Sequence, residues 1–168
     1  MSEEHIITDS YQRRVSYLRF SVTDRCNLHC VYCRSDGPEE FIPHEDVLRY
    51  EEIIRLVRIA RSMHVNKVRL TGGEPFARRD FDKLLLGLRE NFPDLNLRIT
   101  SNGTLMGPHI PVLKQARINA VNLSIDSFRP ETFARVTGHD LLGKVTETLD
   151  ALLDAGIRTK INAVAMRG

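Results

Sequence analysis

Three thiols within eight residues dominate the chemistry open to this chain. Cys26, Cys30 and Cys33 are its only cysteines. One short loop can thus present three thiolates to a metal centre and leave a further coordination position open. Such an arrangement serves reactivity rather than scaffolding. An odd, clustered set does not build a disulfide framework. Iron–sulfur clusters are held by cysteine thiolates. The competing reading is a non-catalytic module with zinc, whose structural sites are closed by four ligands. His29 is the candidate fourth ligand, although its place next to Cys30 makes joint ligation of one ion awkward.

A second chemical feature is Thr71-Gly72-Gly73-Glu74-Pro75. Paired glycines let a ligand approach the backbone closely. Glu74 offers a carboxylate to a cationic group, and Pro75 can open the following turn or helix.

The elements that must position these groups alternate. Strands are predicted over 17–23, 67–71, 95–101, 121–126 and 157–165. Helical spacing of apolar residues covers 46–63, the stretch around Phe81, Leu84, Leu85 and Leu88, then 108–116, a turn at 130–136, and 142–155. Strand–helix alternation implies right-handed βαβ units and a parallel sheet, an α/β fold. The cysteines directly follow the first strand and the glycines the second. In parallel barrels, functional groups gather at those C-terminal strand ends.

Each predicted strand also separates into two faces. Arg19, Ser21 and Thr23 oppose Leu18, Phe20 and Val22. Arg69 and Thr71 oppose Val68 and Leu70; Arg98, Thr100 and Asn102 oppose Leu97 and Ile99. Asn122, Ser124 and Asp126 oppose Val121, Leu123 and Ile125; Lys160 and Asn162 oppose Ile161 and Ala163. Parallel strands covered on both faces read apolar throughout. Here one face should pack on helices and the other should line a polar interior, as in a barrel or half-barrel. Arg19, Arg69, Arg98 and Lys160 point to a polyanionic, phosphorylated ligand. Thr71, Asn102 and Asp126 are read as organisers of hydrogen bonds. His5, His44, His64, His109 and His139 are read as surface groups, and Asp24 with Arg25 as a local charge pair pinning the cysteine loop.

The C-x3-C-x2-C triplet of Cys26, Cys30 and Cys33, followed one strand later by Gly72-Gly73-Glu74-Pro75, resembles the radical S-adenosylmethionine (SAM) superfamily. The resemblance implies a partial TIM-like (β/α) barrel, here its first five strands. It also implies a 4Fe-4S cluster on the three cysteines, with SAM on the open iron. Reductive cleavage of SAM then gives a 5′-deoxyadenosyl radical that abstracts hydrogen from a substrate. Arg19–Asn27, Arg69–Pro75, Thr100–Gly103, Val121–Ser127 and Lys160–Asn162 are further similar to a branch whose enzymes cyclise GTP in molybdenum-cofactor biosynthesis. That similarity implies SAM contacts at Tyr32, Gly72, Gly73, Glu74 and Ser124. It implies GTP contacts at Arg19, Arg69, Thr100 and Lys160, an external electron donor, and a homodimer. A radical SAM enzyme acting on a peptide or another small molecule is the alternative within the superfamily.

The resemblance covers the N-terminal half of that branch, so residues 1–168 are expected to form one radical SAM core domain. A C-terminal part with a second cluster is expected to be absent, since no further cysteine remains. Arg34 and Ser35 stand where the branch commonly has Met-Pro.

With 168 residues, 42% of them apolar, the chain suffices for one domain with its own core. A net charge of +2 without long like-charge runs argues against a nucleic-acid arm or a basic membrane-surface helix. The polar, acidic start is no signal sequence, and no apolar run is long enough to span a bilayer. Thiols reserved for metal point to a reducing cytoplasm.

Overall fold

The computed structural model describes residues 6–33 and 41–166. Five strands form one sheet: β1 (Tyr17–Ser21), β2 (Lys67–Thr71), β3 (Asn96–Ser101), β4 (Ala120–Ser124) and β5 (Thr159–Asn162). All pair in parallel, in sequence order. The intervening helices are α1 (Tyr50–Ser62), α2 (Phe81–Asn91), α3 (Ile110–Gln115), α4 (Pro130–Thr137) and α5 (Leu142–Asp154).

Sequential strand order decides the architecture. Right-handed crossovers that always step to the next strand in one direction put every helix on the same face. The other face stays open, as in a segment of a (β/α) barrel wall. The buried core lies wholly between sheet and helices. Val68, Leu70, Leu97, Ile99, Val121 and Leu123 point from the strands toward Ile53 and Val57 of α1, Phe81 and Leu84 of α2, Leu113 of α3, Phe133 of α4 and Val145 of α5. Fully burying each such side chain contributes about 1.5–3 kcal/mol.

The element ends differ from expectation where local capping decides them. The stretch predicted as one helix over 46–63 begins as a 3-10 turn at His44–Asp46. It enters α1 only after Arg49, whose backbone N–H is taken by the Glu52 carboxylate at 2.7 Å. The predicted turn at 130–136 is a full helix with Pro130 in its first turn. β5 is four residues long, because beyond it the Val164 N–H leaves the sheet for the Asp126 carboxylate at 2.9 Å. Arg89, a charged residue on the buried side of α2, donates to the carbonyls of Ala116, Phe92, Pro93 and Arg117, joining α2 to the end of α3. Among the described residues no helix is long and apolar enough to cross a membrane.

Candidate functional site

The cysteine loop is zipped onto the glycine segment by a backbone ladder that continues past the ends of β1 and β2. Val22 N–H donates to Thr71 O at 2.8 Å, Gly73 N–H to Thr23 O at 2.7 Å, and Glu74 N–H to Arg25 O at 2.8 Å. This proximity explains the glycines. A Cβ on Gly72 would stand 2.3 Å from Thr23 O, and one on Gly73 would stand 2.2 Å from Arg25 O. The backbone leading into Cys26 therefore passes where side chains would otherwise be.

Glu74 differs from its expected role. Its side chain is fully buried rather than offered to a cation. One carboxylate oxygen accepts from Phe76 N–H at 3.1 Å and Ser101 hydroxyl at 2.9 Å; the other accepts from Asn102 N–H at 2.7 Å. It locks the ends of β2 and β3 together, and any ligand contact at position 74 would have to come through the backbone. Burial pushes its pKa up to about 7, against the three hydrogen bonds that lower it. Pro75 opens a 3-10 turn, Pro75–Ala77, as expected.

The cysteines are not joined in disulfides; Cys26 and Cys30 are half-buried and Cys33 is exposed. Cys26 sulfur accepts from Leu28 N–H at 3.5 Å and Asn102 Nδ2 at 3.6 Å. Burial raises the Cys30 pKa; the negative fields of Asp126, Cys26 and Cys33 add to this, and the nearby Tyr32 hydroxyl opposes it. Among the described residues no three His, Cys, Asp or Glu side chains converge as they would around a single ion. His29 Nδ1 lies 3.2 Å from His139 Nε2.

Tyr32 hydroxyl donates to Asp126 at 2.7 Å, and Asp126 also receives the Val164 N–H. These contacts tie the cysteine loop to the exit of β5, beside a cleft of about 620 Å³ lined by Val31, Asp126, Arg135, Val164 and Met166. The expected Asp24–Arg25 pair does not form. Asp24 instead accepts from Ile42 N–H at 2.6 Å, and Arg25 stacks over Phe41 at 5.1 Å.

The open face carries the cations in register. Arg19 stands opposite Arg69, and Arg69 opposite Arg98, on three adjacent strands. Thr100, Asn122 and Lys160 occupy the neighbouring rung, and Ser124 stands beside Asn162 further toward the strand ends. Arg69 is 7% exposed. Its guanidinium donates to Tyr17 Oη at 2.6 Å, Ile99 O at 3.4 Å and Thr100 Oγ1 at 3.1 Å, all neutral partners. Arg98 reaches Asn96 Oδ1 at 2.8 Å. Among the described residues none of the three arginines has a carboxylate partner.

The chain that carries this thiol loop, glycine segment and cation-lined sheet face is similar to known proteins. The radical SAM superfamily profile covers residues 20–168. The chain belongs to the radical SAM superfamily. Curated relatives named GTP 3′,8-cyclase include one from Nautilia profundicola, 42% identical across 97% of this chain and 51% of its own length. Another, from Pelotomaculum thermopropionicum, is 41% identical across 95% of this chain and 50% of its own. The chain spans about half the length of the curated relatives it matches. Among solved structures, Streptococcus suis SuiB bound to S-adenosylmethionine superposes with a TM-score of 0.74 at 20% identity, covering 91% of this chain and 33% of that one. The anSMEcpe structure with bound AdoMet gives 0.70 at 22% identity, covering 88% of this chain and 43% of that one. At such identities these likenesses speak for the radical SAM fold.

Membership of the radical SAM superfamily implies an iron–sulfur cluster and SAM. The donor set fits a cluster: three thiols on one loop, within reach of each other's fields, with N–H groups already aimed at one sulfur. Reading the sequence missed several partners. Tyr17 orients Arg69, while Asn27 and Thr104 bind Asn102. Tyr17 meets Arg69, and Asn27 meets Asn102 and Thr104, across elements far apart in the chain, so no local spacing announces them; Thr104 sits two residues from Asn102 in the same loop. His109, expected as a lone surface group, pairs with Asp82 at 2.8 Å and packs on Phe76. His5, Arg34 and Ser35 lie outside the described residues.

Proposed function

We propose that this chain is the SAM-cleaving core of a GTP 3′,8-cyclase, acting in a reducing cytoplasm. Cys26, Cys30 and Cys33 would hold three irons of a 4Fe-4S cluster. When bound, the cluster and SAM supply a one-electron cleavage that yields a hydrogen-abstracting 5′-deoxyadenosyl radical. The chain's own residues position and shield. The backbone of Gly72, Gly73 and Glu74, together with Tyr32 and Ser124, surrounds the SAM site. Arg19, Arg69, Thr100 and Lys160 receive the triphosphate of GTP on the open sheet face.

The observation that carries the substrate class is Arg69. A nearly buried guanidinium with only neutral partners, in register with two further arginines, calls for an anion of several charges. Identity to curated cyclases supports GTP among the possible polyanions.

The test is anaerobic iron–sulfide reconstitution, followed by SAM and dithionite with and without GTP. Binding and 5′-deoxyadenosine are the readouts, because the chain spans half the length of its cyclase relatives. The wild type should take up iron and sulfide, release 5′-deoxyadenosine and bind GTP. Cys30→Ala should lose the cluster, and Arg19→Ala should weaken GTP at least tenfold. Zinc without iron and sulfide in the wild type would falsify this reading.

A further inference from the structure

We propose that Asn102 is a positioning residue that raises the reduction potential of the cluster, by donating a hydrogen bond from its side-chain amide to the Cys26 sulfur. The inference rests on the reading that the three cysteines hold an iron–sulfur cluster. Asn102 Nδ2 lies 3.6 Å from Cys26 Sγ, within range of an N–H···S bond.

The oxygen and nitrogen of an asparagine amide must be told apart by their partners. Thr104 N–H, which can only donate, lies 3.0 Å from Asn102 Oδ1. The Thr104 hydroxyl donates to the same oxygen at 2.7 Å. Its hydrogen is thereby used, so Thr104 Oγ1 accepts from Asn27 Nδ2 at 2.8 Å. Asn27 Oδ1 in turn accepts from Asn102 Nδ2 at 3.1 Å. The ring of three side chains closes in this sense alone, because a flipped Asn102 would turn its NH2 group against the Thr104 N–H. One Asn102 N–H serves Asn27, and the other remains for the Cys26 sulfur.

The donor is held from behind as well. Asn102 N–H is bound by the buried Glu74 carboxylate, which also holds Ser101, and Ser101 Oγ accepts from Gly103 N–H at 2.9 Å. The amide therefore has no low-cost alternative pose, as a group that tunes a metal centre requires. An electron added to a cluster increases negative charge on its ligand sulfurs. A fixed N–H dipole aimed at one of them stabilises the reduced form and raises the potential.

The test uses the 168-residue chain reconstituted anaerobically, with midpoint potential read by EPR-monitored redox titration and iron and sulfide measured on the same samples. Asn102→Ala should retain wild-type iron and titrate at a more negative potential. The ratio of reduced to oxidised cluster at a fixed potential should fall about tenfold, about 59 mV for a one-electron couple. Thr104→Val removes the hydroxyl that closes the ring and should shift the potential the same way by less. An Asn102→Ala cluster at the wild-type potential overturns the proposal. Should Asn102→Ala take up no cluster, Thr104→Val decides: a shift upholds the role of Asn102, and an unchanged potential at full iron content overturns it. A wild type that assembles no iron–sulfur cluster overturns the proposed function as well. A loaded wild type insensitive to both substitutions removes only the role of Asn102.

Discussion

Glu74 keeps a carboxylate where no cation offsets it. Burial dominates its titration and raises its pKa from 4.5 to about 7, despite three donated hydrogen bonds. Between those two values the folded chain holds a proton that the unfolded chain has released. Unfolding free energy therefore falls as pH rises through this window, by about 1.4 kcal/mol per unit. The contribution is fully present below 4.5 and gone above about 7. Glu74→Gln should abolish that slope in urea unfolding measured at intervals from pH 4.5 to 8, with its own stability flat across the window from this source. A Gln variant that keeps the wild-type slope would assign the titration to another group. At this scale the sequence was legible in part. The spacing of the cysteines and the inward parity of Arg69 and Thr100 could be read directly. The burial of Glu74 could not, because it depends on Ser101 and Asn102 arriving from the end of the next strand.

Between elements, the fit of the cysteine loop against β2 is set by two glycines rather than by attractive side chains. A methyl at Gly73 would meet Arg25 O at 2.2 Å and Asp24 O at 2.8 Å, both backbone atoms that cannot turn aside. Gly73→Ala should destabilise the chain by about 1–3 kcal/mol. It should also displace the loop, cutting iron incorporation severalfold while far-ultraviolet dichroism stays that of the wild type. Gly143 provides the contrast. It lies in α5, and a methyl there would meet nothing within 4 Å. Gly143→Ala should therefore stabilise by up to about 1 kcal/mol through helix propensity and leave iron uptake unchanged. Equal iron loss in both variants would defeat the steric account. The strands and their two faces were readable because a period of two is local, and four of the five strands fell within two residues of their predicted ends. β5 was overextended because Ile161, Ala163 and Ala165 continue the alternation after Asp126 has drawn Val164 out of the ladder. Arg89 was unreadable for a different reason: apart from Asn119 Oδ1, its partners are backbone carbonyls, which every residue has.

Across the whole sheet, sequential strand order leaves one face without helices, and that face gathers like charges. Arg19, Arg69 and Arg98 occupy one rung of three adjacent strands, where neighbouring guanidiniums repel one another unless an anion intervenes. A bound polyanion should therefore stabilise the fold as well as occupy it. At a concentration of 100 Kd the linkage amounts to about 2.7 kcal/mol, or roughly 5–10 °C in Tm for a chain of this size. GTP and inorganic triphosphate should both raise Tm, and rising salt should reduce the effect because exposed charges are screened. Arg19 isolates the electrostatic cause: it is exposed, and its side chain makes no hydrogen bond or ion pair among the described residues. Arg19→Ala should leave the ligand-free Tm unchanged or slightly higher, by relieving repulsion, and should remove at least half of the triphosphate-induced shift. Differential scanning fluorimetry with GTP, inorganic triphosphate and guanosine in parallel separates the contributions. A shift with triphosphate that guanosine fails to give locates recognition in the phosphates and the arginine rung. A full-sized shift in Arg19→Ala would mean that the row does not act together, and that Arg69 and Arg98 carry a structural charge rather than a ligand site.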